Sequence, residues 1–348
     1  MKHTDEELKQ WQALPLSIKE LMSKERIRNW VKEYGEDGVY ISFSGGKDST
    51  VLKHLVKSMG YNVPSVFINT GLEYPEIQKF AKSQKDVITL TPSMRFNEIV
   101  LKYGYPLISK EVSLALYYAK KSKKEGTPLN YKAKQLYGLI TKADGSKSIF
   151  DKSKWQFLID APFSCGNQCC DIMKKAPAKK YEKETGRKPL IATLAEESKG
   201  RATAWKKSGC NAFDAKRPVS TPLAFWTEQD ILHYLKKYNV PYCSVYGDIK
   251  PVEEKDQIKG QMSVQEILND YSDADILTTT GCDRTGCIFC MFGCHLEGEP
   301  NRFQRLKETH PRQYEYCIGG GEMVNGTWQP NKEGLGLGKV LDYINVKY

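Results

Sequence analysis

The stretch Phe43-Ser44-Gly45-Gly46-Lys47-Asp48-Ser49 decides the fold. It follows a short apolar run at 39–43, which predicts a strand, and precedes residues 50–59, whose apolar spacing predicts a helix. Two adjacent glycines allow a tight turn in which successive backbone amides face one anion, and the helix N-terminus adds partial positive charge. We therefore predict a phosphate-binding loop at 44–49. Lys47 supplies a full positive charge, and Asp48 and Ser49 hold Mg²⁺ or orient a nucleotide.

Strands and helices alternate on both sides of this loop. The pattern predicts helices at 27–34, 75–83, 170–184 and 227–238, and strands at 65–68, 87–90 and 190–194. Such alternation is typical of βαβ units, so we predict an α/β fold with a doubly wound, mostly parallel sheet. After about residue 246 the alternation fades into a Cys-rich, mainly helical C-terminal segment, with helices at 264–276 and 302–317.

These shifts in pattern predict three regions. Residues 1–24 form an N-terminal helical extension, residues 25–246 the nucleotide-binding domain, and residues 247–348 the Cys-rich segment. The nucleotide-binding domain carries a Lys-rich insertion at 118–155.

The composition predicts a folded protein outside the membrane. Forty per cent of the 348 residues are hydrophobic, which is enough to bury a core. No stretch approaches the ~20 apolar residues of a membrane helix. The N-terminus is polar and carries Asp5, Glu6 and Glu7, unlike a signal peptide. We expect a cytoplasmic protein with no membrane partner.

The positive charge is concentrated in one place. The formal net charge is +10, and residues 118–155 contain ten lysines against Glu125, Asp144 and Asp151. This stretch is either a solvated insertion or an anion-binding lobe that contacts nucleic acid.

Ten cysteines are the second chemical signal. Four of them form the pattern Cys282-x4-Cys287-x2-Cys290-x3-Cys294, with glycines between them that let the chain wrap one ion. Thiolates in a cytosolic protein suit zinc or an iron–sulfur cluster, and free thiols are the third possibility. Cys210 and Cys243 stand alone, and we expect them to be buried structural thiols.

Several strings resemble the phosphoadenosine-phosphosulfate (PAPS) reductase family of the pyrophosphate-loop superfamily, the adenine nucleotide α-hydrolases. In order, they are the loop at 44–49, the segments 67–75 and 105–110, Cys169-Cys170 with Lys174 and Pro177, Glu197-Ser198 with Arg201, and the segment 222–242. The resemblance covers roughly residues 25–246.

The resemblance implies an adenine nucleotide α-hydrolase-like domain that binds nucleotide phosphates at the carboxyl edge of its sheet. The implied nucleotide-binding residues are Ser44, Gly45, Gly46, Lys47, Asp48, Ser49, Thr70, Glu73, Glu197 and Arg201. The ligand is ATP with Mg²⁺, or PAPS or adenylyl sulfate (APS).

The resemblance also implies a ligand set for a metal cofactor. Adenylyl-sulfate reductases bind a [4Fe-4S] cluster with a Cys-Cys pair and a later C-x-x-C, which here are Cys169, Cys170, Cys287 and Cys290. Zinc is the alternative cofactor, and Cys282 and Cys294 are the alternate ligands.

Two departures argue against PAPS reduction. The Glu-Cys-Gly-Leu-His string of the reductases is missing, and Leu194 stands where family segments often have Arg. We therefore predict ATP-dependent sulfur transfer, in which an acceptor is adenylated with release of pyrophosphate and then thiolated. Lys47 and Asp48 act in this chemistry, and Cys165 or Cys294 serves as nucleophile or persulfide carrier. The sulfur donor is sulfide or a cysteine desulfurase persulfide, and the acceptor is a nucleic acid or a small metabolite.

Two other functions remain open at this point. One is a sulfonucleotide reductase that releases sulfite and is regenerated by thioredoxin. The other is a nucleotide-sensing subunit of a modification complex.

Overall fold

The computed structural model describes residues 1–252 and 275–348. They form two compact units built from interleaved pieces of chain. The first unit comprises the described residues of Met1–Asn69, Glu73–Thr91 and Ala178–Thr285. The second comprises Thr70–Leu72, Pro92–Pro177 and Gly286–Tyr348. The domain boundaries drawn from the sequence stay a prediction.

A six-stranded sheet forms the centre of the first unit. Numbered along the chain, its strands are β1 (Val39–Ser42), β2 (Ser65–Ile68), β3 (Val87–Leu90), β5 (Lys188–Ile191), β6 (Asn211–Ala212) and β7 (Val219–Ser220). Their order across the sheet is β3-β2-β1-β5-β7-β6. All neighbours are parallel except β6 and β7. The predicted α/β class with a mostly parallel sheet is confirmed.

Helices complete the first unit. They are α1 (Asp5–Gln12), α2 (Leu16–Tyr34), α3 (Lys47–Ser58), α4 (Pro75–Ser83), α8 (Ala176–Thr185, which begins in the second unit), α9 (Lys199–Ser208) and α10 (Glu228–Lys237). An apolar core of this unit includes Trp30, Leu55 and Trp226. Lys19 of α2 and Asp230 of α10 are fully buried and form an ion pair of 2.8 Å. A short antiparallel pair, β8 (Ile249–Pro251) and β9 (Leu277–Thr279), also belongs to this unit.

The strand order positions the loop. From β1 the chain proceeds to β2 and β3 on one side, whereas β5 and β7 lie on the other. Strand order therefore reverses between β1 and β5. In open α/β sheets, ligands bind outside the carboxyl ends of the strands at such a reversal. The loop after β1 and the loop after β5 both leave the sheet at this point.

The second unit is mostly helical. Its helices are α5 (Phe96–Tyr103), α6 (Lys110–Glu125), α7 (Tyr131–Leu136), α11 (Arg302–Thr309), α12 (Pro311–Ile318) and α13 (Leu337–Tyr343). Its strands are β4 (Leu107–Ile108), β10 (Met291–Phe292), β11 (Glu322–Val324) and β12 (Thr327–Gln329). Parallel pairing of Met291 with Leu107 and of Phe292 with Ile108 joins the C-terminal cysteine segment to residues 105–110.

Two predicted helices differ from those in the structure, and a third lies almost entirely outside the described residues. The single helix expected over 302–317 is wrong: it is two helices, because Pro311 cannot continue the hydrogen-bond ladder and begins α12 instead. The helix expected over 170–184 starts with a π-helical turn at Asp171–Lys175. The helix expected over 264–276 lies outside the described residues, apart from its last two positions.

Candidate active site

The loop between β1 and α3 is a tight turn that needs glycine at one position. Gly45 has a φ of 75°, which favours glycine, and a Cβ placed there would lie 3.0 Å from Cγ2 of Ile77. Side chains close the loop on itself: the Ser44 amide donates to Oγ of Ser49 at 3.2 Å, and the Gly46 amide donates to Oγ of Ser44 at 3.3 Å. Helix α3 begins directly after this loop, so its N-terminus contributes partial positive charge there.

Lys47, the first residue of α3, contacts residues from much later in the chain. Its buried ammonium lies 2.6 Å from a carboxylate oxygen of Glu228 and donates to the carbonyl of Asp283. Its backbone amide donates to the hydroxyl of Tyr246 at 3.2 Å. That hydroxyl also bonds Oγ1 of Thr285 at 2.8 Å. The loop is therefore bordered by the start of α10, by Tyr246 and by residues 283–285.

One carboxyl oxygen of Asp48 forms no hydrogen bond with the described residues. This oxygen, Oδ1, is buried. Burial raises the pKa of this carboxyl above its ordinary value. The positive charges of Lys47, Arg284 and Arg201 oppose this shift without cancelling it, and the negative charge of Glu228 adds to it. A buried carboxyl oxygen without a hydrogen-bond partner in the described residues fits the oxygen chemistry that Mg²⁺ requires. The residues present thus fit a nucleotide-bound magnesium ion.

The loop after β5 supplies a second charged group. Ser198 caps α9 by accepting a hydrogen bond from the Arg201 amide at 3.3 Å. The carboxylate of Glu197 forms ion pairs with both Arg201 and Arg284. Burial lowers the pKa of Arg201, and the positive charge of Arg284 lowers it as well. Two arginines thus share one carboxylate.

Glu196 lies next to this pair and near the loop residues. It accepts a hydrogen bond from the Glu228 amide at 2.6 Å. Partial burial raises the pKa of Glu196 to about 7, and the negative charges of Glu228, Asp230 and Asp48 act in the same direction. Several carboxylates therefore face the same region.

Most of the predicted nucleotide-binding residues lie in the first unit. The loop 44–49, Glu197 and Arg201 share one network of charges. Glu73 precedes α4, and its carbonyl accepts a hydrogen bond from Gln78. Thr70 belongs to the second unit, where its buried hydroxyl accepts from the Leu72 amide at 3.2 Å.

Four residues beside the loop were not predicted as site residues, namely Glu228, Tyr246, Asp283 and Thr285. Arg284, between the last two, pairs with the predicted residue Glu197. Glu228 stands inside a string quoted for the family resemblance, but nothing in that string signals a contact with Lys47. Arg284 lies inside the Cys282–Cys287 spacing, where the cysteines are the more conspicuous signal.

The second unit contains the cysteines implied as cluster ligands. The Cys169 thiol donates a hydrogen bond to the sulfur of Cys170, which lowers the pKa of Cys170 to about 6, and Lys110 and Lys174 act in the same direction. The same hydrogen bond, burial and negative charge on Cys170, Cys290 and Cys287 raise the pKa of Cys169. All four thiols thus influence one another electrostatically.

The remaining candidate thiols have different surroundings. Cys282 belongs to the first unit, and its Sγ donates to the Arg284 carbonyl at 2.8 Å. Cys165 and Cys294 are buried in the second unit, and burial raises their pKa values to about 12 and about 11. Both are therefore protonated thiols near neutral pH, which disfavours a role as nucleophile in this arrangement.

Within residues 1–252 and 275–348, no group of three or more His, Cys, Asp or Glu side chains is arranged to hold a metal ion. The four thiols of the second unit have the chemistry of cluster ligands, but they do not form such an arrangement. A cluster or a zinc ion at these cysteines therefore stays a prediction.

Part of the positive charge of the Lys-rich stretch 118–155 is compensated by three carboxylates. Lys123, Lys132, Lys147 and Lys152 form ion pairs with acidic residues of the same unit. The Lys120 ammonium donates to the carbonyls of Ala161 and Phe163 at 2.8 Å each. This arrangement favours the solvated insertion, and a nucleic acid partner stays a prediction.

Among the described residues, no helix has the length and apolar character needed to cross a bilayer.

Comparison with known proteins gives a consistent family. Residues 38–127 and 129–291 match the family model described as the phosphoadenosine phosphosulfate reductase domain. A phosphoadenosine 5'-phosphosulfate reductase of Xylella fastidiosa (strain 9a5c) is 24% identical over 223 residues, which cover 64% of this chain and 73% of the relative. A protein of the same name from Xanthomonas oryzae pv. oryzae (strain PXO99A) is 31% identical over 98 residues, 28% of this chain and 36% of the relative.

Two other proteins are similar over longer stretches. An uncharacterized protein of Methanocaldococcus jannaschii is 24% identical over 307 residues, which cover 84% of this chain and 45% of the relative. A solved phosphoadenylyl-sulfate reductase from Candida auris, in complex with phosphate, aligns with a TM-score of 0.37 and 15% identity. That alignment covers 70% of this chain and 91% of the other.

Proposed function

The chain belongs to the phosphoadenosine phosphosulfate reductase domain family, and from that premise we propose that it is an ATP-dependent sulfurtransferase. It adenylates an acceptor, releases pyrophosphate and exchanges the activated oxygen for sulfur. The proposal is carried by one observation in the 44–49 loop: Oδ1 of Asp48 is buried and has no hydrogen-bond partner among the described residues. A triphosphate brings Mg²⁺ with it, and this oxygen is a suitable ligand for that ion.

The reaction needs positioning and charge stabilisation more than acid–base chemistry. An acceptor oxygen attacks the α-phosphorus of ATP, a new P–O bond forms, and the bond to the bridging oxygen breaks with loss of pyrophosphate. Hydrosulfide then attacks the adenylated carbon. The C–S bond forms, the C–O bond breaks, AMP leaves with the oxygen, and the proton of the sulfur passes to solvent. No electron donor is consumed.

The loop residues have distinct roles in this scheme. The ammonium of Lys47 binds the phosphate chain and holds the α-phosphorus in line with the acceptor. The amides of Gly46 and Lys47 bind the same phosphates once their hydrogen bonds to Ser44 and Tyr246 have opened. Asp48, with Ser49, holds the magnesium ion. When bound, that ion neutralises charge on the phosphate oxygens. Glu197 and Arg201 border the same site from the loop after β5.

Burial of Cys317 supports sulfur transfer over sulfonucleotide reduction. Reductases of this family attack the substrate sulfur with a cysteine of a Glu-Cys-Gly-Leu-His string, and Cys317, which follows Glu315-Tyr316, is the candidate for that cysteine in this sequence. It lies in α12 with 0% exposure, and burial raises its pKa well above the ordinary value. A neutral, enclosed thiol is a poor nucleophile.

Reduction of PAPS or APS remains the second candidate, because the curated relatives from Xylella and Xanthomonas bear the name of that activity. In that case the loop binds the phosphosulfate, a thiolate takes its sulfur group, and thioredoxin regenerates the enzyme with release of sulfite.

We propose that Cys169, Cys170, Cys287 and Cys290 bind an iron–sulfur cluster, with zinc as the alternative. Support comes from the soft thiolate donors and from their mutual electrostatic influence.

The test uses the full chain, purified without oxygen. It is supplied with Mg-ATP and sulfide, or with PAPS and reduced thioredoxin, in the presence of small RNA and of candidate metabolites. Pyrophosphate and AMP formed from ATP at equal rates, and abolished by Asp48→Asn, support the proposal. Sulfite released from PAPS without pyrophosphate formation from ATP overturns it in favour of reduction.

A further inference from the structure

Residues 283–285 form one border of the nucleotide loop. The carbonyl of Asp283 accepts a hydrogen bond from the Lys47 ammonium. Oγ1 of Thr285 lies 3.2 Å from where a Cβ on Gly46 would stand. Arg284 lies between these two contacts, so its backbone is held directly against the loop. Sequence reasoning gave this residue no role.

The Arg284 side chain is held by a carboxylate, yet it is accessible. Its guanidinium pairs with Glu197, and the side chain is 60% exposed. Arg201, on the same carboxylate, is 42% exposed, whereas the Lys47 side chain is 7% exposed. Arg284 and Arg201 are therefore solvent-accessible and share the Glu197 carboxylate, whereas Lys47 is buried.

The charges of Arg284 and Arg201 reach the loop. Both attract the Asp48 carboxyl electrostatically, as Lys47 does, so all three cations lie near the same loop residue. Glu197 pairs with both Arg201 and Arg284, and the two guanidinium groups together have more N–H donors than one carboxylate can accept. Donors thus remain for phosphate oxygens, beside a loop in which Oδ1 of Asp48 has no hydrogen-bond partner within the described residues.

We propose that Arg284, together with Arg201, binds the β- and γ-phosphates of ATP, and so selects a nucleoside triphosphate over a monophosphate. This inference rests on the proposed function, because it assigns the departing pyrophosphate to these two residues. A guanidinium presents two parallel N–H donors to phosphate oxygens, which a lysine cannot reproduce. On binding, the phosphates replace Glu197 as the partner of Arg284.

Calorimetric titration of the full chain tests the inference, with Mg-ATP, AMP and inorganic pyrophosphate as probes. Arg284→Ala is expected to weaken Mg-ATP and pyrophosphate at least tenfold while AMP changes less than twofold. Arg284→Lys should recover only part of the loss. The matched control is Arg217→Ala, which removes an arginine paired with Glu182 at the amino end of β7, the opposite edge of the sheet.

Two results overturn the inference. Unchanged Mg-ATP affinity in Arg284→Ala removes the residue from the site. Equal weakening of ATP and AMP, with a lowered unfolding temperature, reveals a structural role alone. Failure of the proposed function gives a different result, since the wild-type chain then binds Mg-ATP with the predicted arginine dependence but forms no pyrophosphate with any acceptor.

Discussion

The Nζ of Lys47 lies 2.6 Å from the carboxylate of Glu228, so the first residue of α3 is paired with the first residue of α10. The two residues are distant in sequence and meet because both helices begin at the carboxyl edge of the sheet. A phosphate that binds the loop must compete with this carboxylate for the lysine. If the proposed site binds nucleotide phosphates, this ion pair lowers the affinity for them.

Glu228→Gln is expected to strengthen Mg-ATP binding. The amide keeps the size of the side chain but removes the charge that competes for Lys47 and repels phosphate. A partly exposed ion pair is worth roughly 0.5–1 kcal/mol, which corresponds to roughly a twofold to fivefold decrease in Kd. Calorimetric titration measures it, with Glu25→Gln, a surface partner of Arg28, as control. Weaker binding in Glu228→Gln would contradict the competition.

Gly45→Ala is expected to damage both folding and nucleotide binding. Its φ of 75° costs an L-residue roughly 1–2 kcal/mol, and the new Cβ meets Ile77 at 3.0 Å. Gly60→Ala is the matched control, since Gly60 has a φ of 83° with nothing within 4 Å of an added Cβ. Chemical denaturation should show a lower free energy of unfolding in both variants, with the larger decrease in Gly45→Ala. Only Gly45→Ala should lose Mg-ATP affinity, and equal affinities would remove the loop from the site.

The parts of the fold that the sequence predicts well are set by local signals. Strands 65–68 and 87–90 and helix 75–83 have the bounds that the sequence predicts, because short apolar runs and a first-turn proline define them. The loop is predictable from two glycines between a strand and a helix. The one that requires glycine by its positive φ is Gly45, whereas Gly46 has an ordinary φ and is held by close contacts.

The partners of the loop are not predictable in the same way. Glu228, Tyr246 and Arg284 reach it through the packing of elements made much later in the chain. No periodicity or spacing near these residues encodes which helix N-terminus or which turn lies beside Lys47. Tertiary packing determines these neighbours, and it cannot be derived from local patterns in a single sequence.

Lys19→Met is expected to destabilise the first unit strongly. Lys19 and Asp230 are both fully buried and 2.8 Å apart, so the substitution leaves a carboxylate enclosed without its cation. Such a loss costs roughly 3–5 kcal/mol. The double variant Lys19→Met/Asp230→Asn should recover part of this cost. Urea denaturation followed by tryptophan fluorescence measures both, and a single-variant loss below about 1 kcal/mol would rule out a tight buried pair.

Glu196 predicts a pH dependence of stability. Its pKa of about 7 in the folded chain is above the ordinary value of 4.5, so folding favours the neutral acid. This contribution is complete below pH 4.5 and is lost as the pH rises through 7. Glu196→Gln should therefore reduce the fall in denaturation midpoint between about pH 5 and pH 8, whereas Glu25→Gln should not. If Glu196→Gln has the same pH profile of stability as the wild type, the pKa of Glu196 is not raised in the folded chain.

The cysteine group predicts a metal-content experiment. Protein purified without oxygen should contain about four iron atoms per chain if the four thiols hold a [4Fe-4S] cluster. Cys287→Ala should remove most of the iron, and Cys243→Ala, a buried thiol of the first unit, should retain it. Zinc in place of iron supports the alternative cofactor. A wild-type chain that contains neither iron nor zinc would contradict both assignments.

The interleaved construction of the two units has a consequence for biosynthesis. On the ribosome, β1, β2 and β3 emerge early, but β1 obtains its other neighbour only when residues 188–191 have been made. Until then the nascent chain presents an unpaired, apolar strand edge, which invites aggregation. Completion of either unit waits for the last third of the polypeptide, so cellular chaperones are expected to hold this chain until translation is nearly finished.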